Sequence, residues 1–408
     1  MTAEPLGRGP RVPGEESPRE PSPPGAGSPA PSRDVAAWLD GVRVCICGGS
    51  GGVGKTTTSA AVAAGMAARG LRVCVVTIDP ARRLADALGL DALGNAPHRV
   101  DPAPFAAAGL PFADGGELWA LQLDAKRTFD DLIERLAPDA RTREEILANR
   151  IYRELSGAVA GSQEFTAIAK LHDLAATEEF DLLVLDTPPS RNALDFLDAP
   201  DRLTQFFEGR ALQALLKPSG LGMKLLGRTS GFALGALKRV TGVDLLTDLS
   251  TFFRLLGGLL EGFRARAEQV DALLRDPRTR FLLVTSPERE PIDEAIYFHR
   301  KLKAARMAFG GGIVNRVHAD QLGDEDAGGL VGRLVDEAGL SRPLAAKVAA
   351  CFADEHALAR RDRDNVAHLA ERLGPGVPLL LVPHLDDDVH DAGGLVAVGT
   401  HLFAPAAR

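Results

Sequence analysis

Short apolar runs recur along this chain of 408 residues, and longer helix-forming stretches separate them. Seven of the runs are rich in Val, Ile or Leu and are apolar throughout rather than at alternate positions: 42–47, 73–78, 118–123, 182–185, 281–285, 313–314 and 379–382. Runs of this kind are typical of strands buried on both faces of a parallel sheet. Helices between them supply right-handed crossover connections. The pattern therefore predicts a three-layer α/β fold with a mainly parallel central sheet.

Two connecting stretches, 125–177 and 200–277, are longer than ordinary crossovers. The second is dense in Leu and Phe, and apolar pairs three or four residues apart recur along it, which predicts amphipathic helices. Its middle is interrupted by glycines, each of which lowers helix propensity by about 1 kcal/mol relative to alanine: Gly220, Gly222, Gly227, Gly231 and Gly235. We expect the two stretches to form an inserted helical subdomain that is mobile and partly exposed. An ordinary helical layer of the core is the alternative.

Residues 1–34 differ from the rest of the chain in composition. They hold nine prolines among Gly, Ser, Glu and Arg, and almost no large apolar side chains. Burial cannot offset the entropy cost of ordering such a segment. We therefore expect a disordered tail, followed by one domain over residues 35–408.

The net charge and the first residues of the chain indicate which partners and which cell compartment to expect. A net charge of -8 argues against nucleic acid as a partner, because affinity for a phosphate backbone needs a concentrated basic face. The first residues lack the basic-then-apolar order of a signal peptide, and no uninterrupted apolar stretch reaches about 18 residues. We expect a cytoplasmic protein, at most peripheral to a membrane through a partner.

The four cysteines show no C-x-x-C spacing, and three of them lie in apolar runs. We expect all four to be buried, reduced thiols: Cys45, Cys47, Cys74 and Cys351.

The most specific motif follows the first apolar run. Residues 49–56 read G-S-G-G-V-G-K-T and match G-x-x-x-x-G-K-[ST] after a strand, which is the context that this motif requires. Backbone N–H groups and the start of the next helix would bind phosphates, Lys55 would neutralise the β and γ phosphates, and Thr56 would hold Mg²⁺. The predicted nucleotide-binding residues here are Gly49, Gly51, Gly52, Val53, Gly54, Lys55, Thr56 and Thr57. A glycine-rich turn without a ligand is the alternative.

Two carboxylates that end later apolar runs are candidates for the same site, because ligands of open parallel sheets lie beyond the carboxyl ends of strands. Asp186 follows the run 182–185 and would reach Mg²⁺ through water. Asp79 ends the sequence V-C-V-V-T-I-D-P and could orient and deprotonate an attacking water. Asp79 and Lys55 are therefore the catalytic candidates, and Thr56, Asp186 and Asp79 are the metal-site candidates. Asp79 could instead merely cap the following helix.

Three motifs in order carry a family resemblance: G-S-G-G-V-G-K-T-T, T-I-D-P-A-R-R-L-A-D-A-L and D-T-P-P-S-R-N-A-L. Together they resemble the arsenical-pump ATPases and their relatives that deliver tail-anchored membrane proteins, above all the actinobacterial branch. The resemblance runs from about Val42 to the C-terminus. It implies a dimeric P-loop ATPase that uses ATP and Mg²⁺. It also implies that Asp79 is the catalytic carboxylate of a first switch and that Asp186 opens a second switch.

Two further positions gain a role from the same resemblance. Asn315, in G-I-V-N-R-V, matches the position that reads adenine, and Pro383, in L-V-P-H-L-D, matches the loop beside the base. An amide offers a donor and an acceptor, which suits the N6 and N7 edge of adenine. Asn315 could equally be a turn residue at the end of a strand.

The chain departs from the family at Ser50. Family members usually carry a lysine at this position, and it reaches the nucleotide of the partner subunit. A serine hydroxyl supplies neither the charge nor the reach, so a homodimer of this chain would lack that cation. We therefore suspect a heterodimer with a related, lysine-bearing ATPase subunit. In a homodimer, which is the alternative, Arg82 or Arg191 would have to compensate.

Other departures bear on cofactor and cargo. Relatives that share zinc at the dimer interface use a C-x-x-C pair, and its absence predicts no zinc. Scattered thiols also argue against arsenite as cargo. The apolar stretch 200–277 would suit an apolar client or a membrane-associated protein. We predict an ATPase that couples switching to handling of such a client. A weakly hydrolysing or non-hydrolysing regulatory subunit and the energising subunit of an anion pump are the alternatives.

Overall fold

Eight strands form one sheet in the part of the chain that the structure describes. The computed structural model describes residues 34–79, 81–150, 152, 162–187, 255, 257–321, 323 and 327–404. Residues 1–33 and 188–254 lie outside these ranges, and with them nearly all of the predicted tail and much of the predicted subdomain. The disordered tail and the inserted subdomain therefore stay predictions.

The sheet is parallel apart from one edge strand. Its strands are β1 Val44–Gly48, β2 Arg72–Thr77, β3 His98–Arg99, β4 Glu117–Gln122, β5 Leu182–Asp186, β6 Thr279–Thr285, β7 Phe309–Val317 and β8 Leu379–Pro383. Their order across the sheet is β3-β4-β2-β5-β1-β6-β7-β8. Every neighbouring pair is parallel except β3 with β4. The predicted mainly parallel sheet is confirmed, and each of the seven apolar runs overlaps one of its strands.

Strand β3 is the one described strand that the apolar pattern does not predict. His98 pairs with Ala120 of β4 and Arg99 pairs with Trp119. Both residues of β3 are exposed, so no run of apolar side chains marks them in the sequence. The strand is specified by its pairing with β4 rather than by burial.

Twelve helices are described, most of them as connections between strands. They are α1 Val35–Trp38, α2 Lys55–Ala67, α3 Arg83–Ala87, α4 Ala103–Ala107, α5 Ala125–Leu136, α6 Ala140–Ala148, α7 Ser162–Thr177, α8 Leu260–Arg275, α9 Arg289–Ala304, α10 Ala327–Asp336, α11 Arg342–Leu373 and α12 Ala392–Leu402. Within the described ranges, none of them is long and apolar enough to cross a membrane.

Each face of the sheet carries its own apolar core. In β1, Val44 and Ile46 belong to one core, whereas Cys45 and Cys47 belong to the other, because successive side chains of a strand point to opposite faces. Helices α7, α8 and α9 cover the first face, and α2 and α12 cover the second. The three layers predicted from the sequence are therefore present.

Helix α2 lies close against the second face because its side chains are small. Most of its residues are buried alanines or other small residues. A Cβ atom added at Gly65 would lie only 2.0 Å from the ring of Phe403, which follows α12. This close packing holds the end of α2 against the segment that follows α12.

Helices α5 to α8 make up the described parts of the two long connecting stretches. The ring of Phe129 stacks on Phe263 with 5.7 Å between centroids, and on Tyr152 with 6.2 Å. Phe165 and Phe263 belong to the same core as the sheet residues of the first face. In these described parts, the helices form a layer on the sheet.

Three of the four cysteines are buried, but Cys351 is exposed. The prediction that Cys351 is buried is therefore wrong. It lies on α11 two residues beyond the buried Ala349, which places it about 200° around the helix from that position. Burial raises the pKa of Cys74 to about 12, which is the expected behaviour of an inert core thiol.

Replacing Phe281 by alanine should destabilise the protein strongly. Phe281 is fully buried on β6, and its ring packs edge-on against Phe298 of α9 with 6.3 Å between centroids. We expect Phe281→Ala to lower the free energy of unfolding by about 3–5 kcal/mol, measured by urea denaturation. Tyr297→Ala is the matched control, because Tyr297 is next to Phe298 on α9 but is 50% exposed. Equal losses for the two variants would contradict the position of Phe281 in the core.

Candidate functional site

The loop between β1 and α2 has a backbone that only glycine tolerates at two of its positions. Gly54 directly precedes α2 and has φ 89°, in the left-handed region. A Cβ atom at Gly49 would lie 1.9 Å from the carbonyl oxygen of Val284, so the loop leaves β1 in direct contact with β6. These two glycines turn the chain sharply from the strand into the helix.

Lys55 is the first residue of α2, and its side chain bends back over the loop. Its Nζ donates to the carbonyl oxygen of Ser50 at 2.6 Å, and the residue is only 6% exposed. Burial lowers the pKa of Lys55, while the carboxylates of Asp186 and Asp79 act in the opposite direction. The cation is thus held inside the loop, next to two carboxylates.

Asp186 is the last residue of β5, which lies between β1 and β2 in the sheet. The loop follows β1, and Asp79 follows β2. It pairs in register with Cys47 of β1 and with Thr77 of β2. Its Oδ2 accepts hydrogen bonds from the hydroxyls of Thr56 at 2.8 Å and Thr77 at 2.9 Å. Burial raises the pKa of Asp186 to about 6.

The residues around Asp186 fit a magnesium ion. Among the described residues, Asp186 Oδ1 is buried without a hydrogen-bond partner. A buried carboxylate oxygen of this kind needs a polar partner, and a water on Mg²⁺ would supply one. The Thr56 hydroxyl is hydrogen-bonded to the same carboxylate, and a threonine hydroxyl at this position of the loop is a usual ligand of Mg²⁺.

Asp79 follows β2 and makes the capping contact that the sequence allowed, together with an ion pair that the sequence did not predict. Its Oδ1 accepts from the backbone N–H of Ala81 at 2.9 Å, which stabilises the turn before α3. Its Oδ2 lies 3.7 Å from Nη1 of Arg83, in an ion pair. Asp79 also lines the cavity described next, so capping the turn does not remove it from the site.

A cavity of about 490 Å³ opens over the loop. Six of the predicted residues line it: Gly52, Gly54, Lys55, Thr56, Thr57 and Asp79. Six others that the sequence analysis did not single out also line it: Arg83, Asp86, Thr187, Arg316, Val389 and His390. Thr187 directly follows β5, and Arg316 is the next-to-last residue of β7, so their position at the end of a strand is a signal that could have identified them. The cavity is large enough for a nucleotide.

Asn315 and Pro383 lie at the ends of β7 and β8 but do not belong to the described lining of this cavity. The side-chain Nδ2 of Asn315 donates to the carbonyl oxygen of Val53 at 3.0 Å. A Cβ at Gly54 would lie 2.3 Å from this same Nδ2. Asn315 thus braces the loop, and base reading by Asn315 and Pro383 stays a prediction.

Ser50 stands where relatives have the lysine that reaches the partner subunit, and Arg82 is one of the arginines that could compensate for its loss. Both side chains have partners within the chain. The Ser50 hydroxyl donates to Oε2 of Glu294 on α9 at 2.5 Å. The guanidinium of Arg82 donates to the carbonyl oxygen of Asp91. Arg82 does not line the described cavity, whereas its neighbour Arg83 does. Arg191 lies outside the described residues.

A glycine loop between a central parallel strand and a helix that starts with Lys-Thr, facing an aspartate on the adjacent strand, defines the class of P-loop NTPases. Within that class, the chain belongs to the anion-transporting ATPase family, whose model matches residues 42–331. The family resemblance drawn from the three motifs is therefore confirmed.

Three relatives illustrate the similarity. An uncharacterized protein of Streptomyces coelicolor is 29% identical over 62% of this chain and 65% of its own length. The putative arsenical pump-driving ATPase 1 of Aquifex aeolicus is 26% identical over 62% of this chain and 58% of its own. The ATPase GET3A of Arabidopsis thaliana is 27% identical over 68% of this chain and 67% of its own. The chain thus spans less than two thirds of the first two relatives.

Replacing Asp186 by asparagine should stabilise the protein in the absence of Mg²⁺ and nucleotide. Burial raises the pKa of Asp186 from 3.8 to about 6, so the folded state holds this proton more tightly than the unfolded chain does. The ionised carboxylate therefore costs stability, and the cost grows as pH rises from about 4 to about 6. We expect Asp186→Asn to raise the free energy of unfolding at pH 7 by about 1–3 kcal/mol and to flatten this pH dependence.

Asp181 offers a matched control just before the same strand. Hydrogen bonds from Arg72 lower the pKa of Asp181, so Asp181→Asn should bring no gain. Urea denaturation at several pH values, in buffer with EDTA, makes the comparison. A loss of stability at pH 7 in Asp186→Asn would contradict the predicted effect.

Proposed function

We propose that this protein binds Mg·ATP in the cavity over the loop and hydrolyses it to ADP and inorganic phosphate. The observation that carries the proposal is the arrangement around the loop: Lys55, Thr56 and Asp79 line one cavity, and Asp186 is hydrogen-bonded to Thr56. Membership of the anion-transporting ATPase family supports the same reaction.

Phosphate binding would use the loop backbone and the first turn of α2. Gly52, Gly54 and Thr57 line the cavity at the start of α2. Their backbone N–H groups would donate to phosphate oxygens at this positive end of the helix. Lys55 would exchange the Ser50 carbonyl oxygen for β- and γ-phosphate oxygens. Thr56 would hold Mg²⁺ directly and Asp186 would hold it through water, and the bound ion would neutralise the charge of these oxygens.

Hydrolysis needs a group that orients the attacking water, and we assign this role to Asp79. Water attacks the γ-phosphorus, the new P–O bond forms, and the bond from that phosphorus to the bridging oxygen breaks. ADP leaves with the electron pair, and Asp79 takes up the proton of the water. The carboxylate lines the cavity and is kept in place by the Ala81 N–H.

The output of the ATPase cycle is the handling of an apolar client or of a membrane-associated partner, and the protein acts in the cytoplasm as part of a dimer. The resemblance of the three motifs to those of ATPases that deliver tail-anchored membrane proteins supports the client and the dimer. One of the relatives is named as driving an arsenical pump, so energising an anion pump is a further possible output. The client-binding stretch predicted from the sequence falls mostly outside the described residues.

A second candidate function is that of a nucleotide-binding subunit which hydrolyses ATP weakly without a related partner chain. The observation that favours it is the hydrogen bond from Ser50 to Glu294. That bond directs the side chain at the position of the usual cross-subunit lysine toward α9 of the same chain. A partner with lysine at this position would then complete one site of a heterodimer.

Two substitutions test the first candidate through different steps. Lys55→Ala should weaken ATP binding about 10-fold or more, because a buried charge-assisted contact to phosphate is lost. Asp79→Asn should leave ATP affinity within a few-fold and lower kcat by about 100-fold or more, because the proton acceptor is lost. Steady-state ATPase assays and equilibrium ATP titration, both with Mg²⁺, measure these effects. Lys126→Ala is the control, since Lys126 is an exposed lysine paired with Asp130 on α5.

The same assays separate the two candidates. Turnover by the purified chain that both substitutions abolish supports a self-sufficient enzyme. Tight ATP binding with no turnover at any protein concentration supports the subunit. Turnover that Lys55→Ala leaves intact would count against the assigned site altogether.

A further inference from the structure

The cavity over the loop contains more positive charge than the sequence motifs predict. Its described lining carries three basic side chains, Lys55, Arg83 and Arg316, and two carboxylates, Asp79 and Asp86. Lys55 is the lysine of the loop motif. The loop motif does not account for the other two, Arg83 and Arg316, so their role in the cavity has to be explained.

The side chain of Arg316 contacts the loop and not Asp79, the candidate catalytic carboxylate. Its Nη1 donates to the carbonyl oxygen of Gly52 at 3.1 Å. Its backbone has φ 63°, which is unusual for a residue other than glycine. Arg316 is the next-to-last residue of β7, and its side chain reaches the loop at Gly52.

Arg83 is placed next to Asp79. It is the first residue of α3, four residues after Asp79, and its Nη1 lies 3.7 Å from Asp79 Oδ2. Its side chain is 69% exposed, so the ion pair is loose and weak. A guanidinium held this way can change partners at little cost when a more highly charged group enters the cavity.

Among the described residues, the other candidates for this role, Arg82 and Ser50, are engaged elsewhere. Arg82 donates to the carbonyl oxygen of Asp91, and the Ser50 hydroxyl donates to Glu294. Neither group lines the described cavity. Developing negative charge on a transferred phosphate needs a positioned cation, and Arg83 is the arginine beside the group assigned to the attacking water.

We infer that Arg83 is a catalytic residue that contacts the γ-phosphate oxygens in the transition state and so supplies, from the same chain, the cation that position 50 lacks. The inference rests on the proposed function. In the resting protein, Arg83 pairs with Asp79. With Mg·ATP bound, it contacts the phosphate oxygens, while Asp79 is left to accept the proton of the attacking water.

The test compares adjacent arginines. Arg83→Ala, Arg83→Lys and Arg82→Ala are made in the full chain. For each, kcat is measured with Mg²⁺ and saturating ATP. Equilibrium affinities are measured for ATP, for ADP, and for ADP with aluminium fluoride, a mimic of the transferred phosphoryl group. Arg83→Ala should lower kcat by about 100-fold or more and should leave ATP and ADP affinities within about 3-fold.

The aluminium fluoride complex gives a readout that does not depend on turnover. Arg83→Ala should abolish most of the extra affinity that this complex has over ADP, and Arg83→Lys should restore part of it, since lysine keeps the charge but not the planar geometry. Arg82→Ala should match the wild type within about 2-fold in every measurement, since a surface arginine away from the site contributes little.

Two results would overturn the inference while leaving the proposed function standing. One is that Arg83→Ala behaves like Arg82→Ala. The other is that Arg83→Ala weakens ATP, ADP and the fluoride complex equally, which would make Arg83 a general phosphate contact. If the wild type binds ATP but does not turn it over, the affinities for ADP with aluminium fluoride alone decide whether Arg83 contacts the transferred phosphate. If the wild type binds no ATP, the proposed function and the inference fail together.

Discussion

A carboxylate buried between the central strands holds the site together. Strand β5 lies between β1 and β2, and this position brings Asp186 to the hydroxyls of Thr56 and Thr77. The three residues come from segments far apart in the sequence. A slip of one residue in the register of β5 would turn the carboxylate to the opposite face of the sheet. The packing of the two cores, which fixes that register, therefore also fixes the position of Asp186 relative to the loop.

The site is built at a cost to stability. Burial raises the pKa of Asp186 and lowers the pKa of Lys55, so both charged forms are disfavoured by their surroundings. Each charge partly offsets the cost of the other, and a highly charged ligand would add further partners. Asp186 and Lys55 lie beside the cavity, so binding of a charged ligand there can relieve part of this cost.

The sequence predicts the features that depend on local pattern. Continuous apolar runs mark the parallel strands, because both faces of those strands are buried. The loop motif identifies Lys55 and Thr56, since their spacing is imposed by the phosphate geometry. Asp186 was identified by its place at the end of a strand.

Features that depend on tertiary packing were not predictable in the same way. Strand β3 is exposed and two residues long, so pairing alone defines it. The choice between Arg82 and Arg83 depends on the direction in which each long side chain leaves the start of α3. The contact of Asn315 with the loop depends on the absence of a Cβ at Gly54. Exposure of Cys351 depends on which side of α11 is covered.

Helix α11 connects the end of β7 to a distant part of the molecule. Asp362, near its middle, is fully buried and accepts hydrogen bonds from the backbone N–H and the Nδ1 of His318, just beyond β7. The first residue of the helix, Arg342, is 20 residues away along 32 residues of continuous helix, a distance of about 30 Å. A rotation of about 5° at Asp362 would displace that end by about 3 Å. A rigid-body rotation of α11 about Asp362 would therefore move the first residue of the helix by about the diameter of an atom.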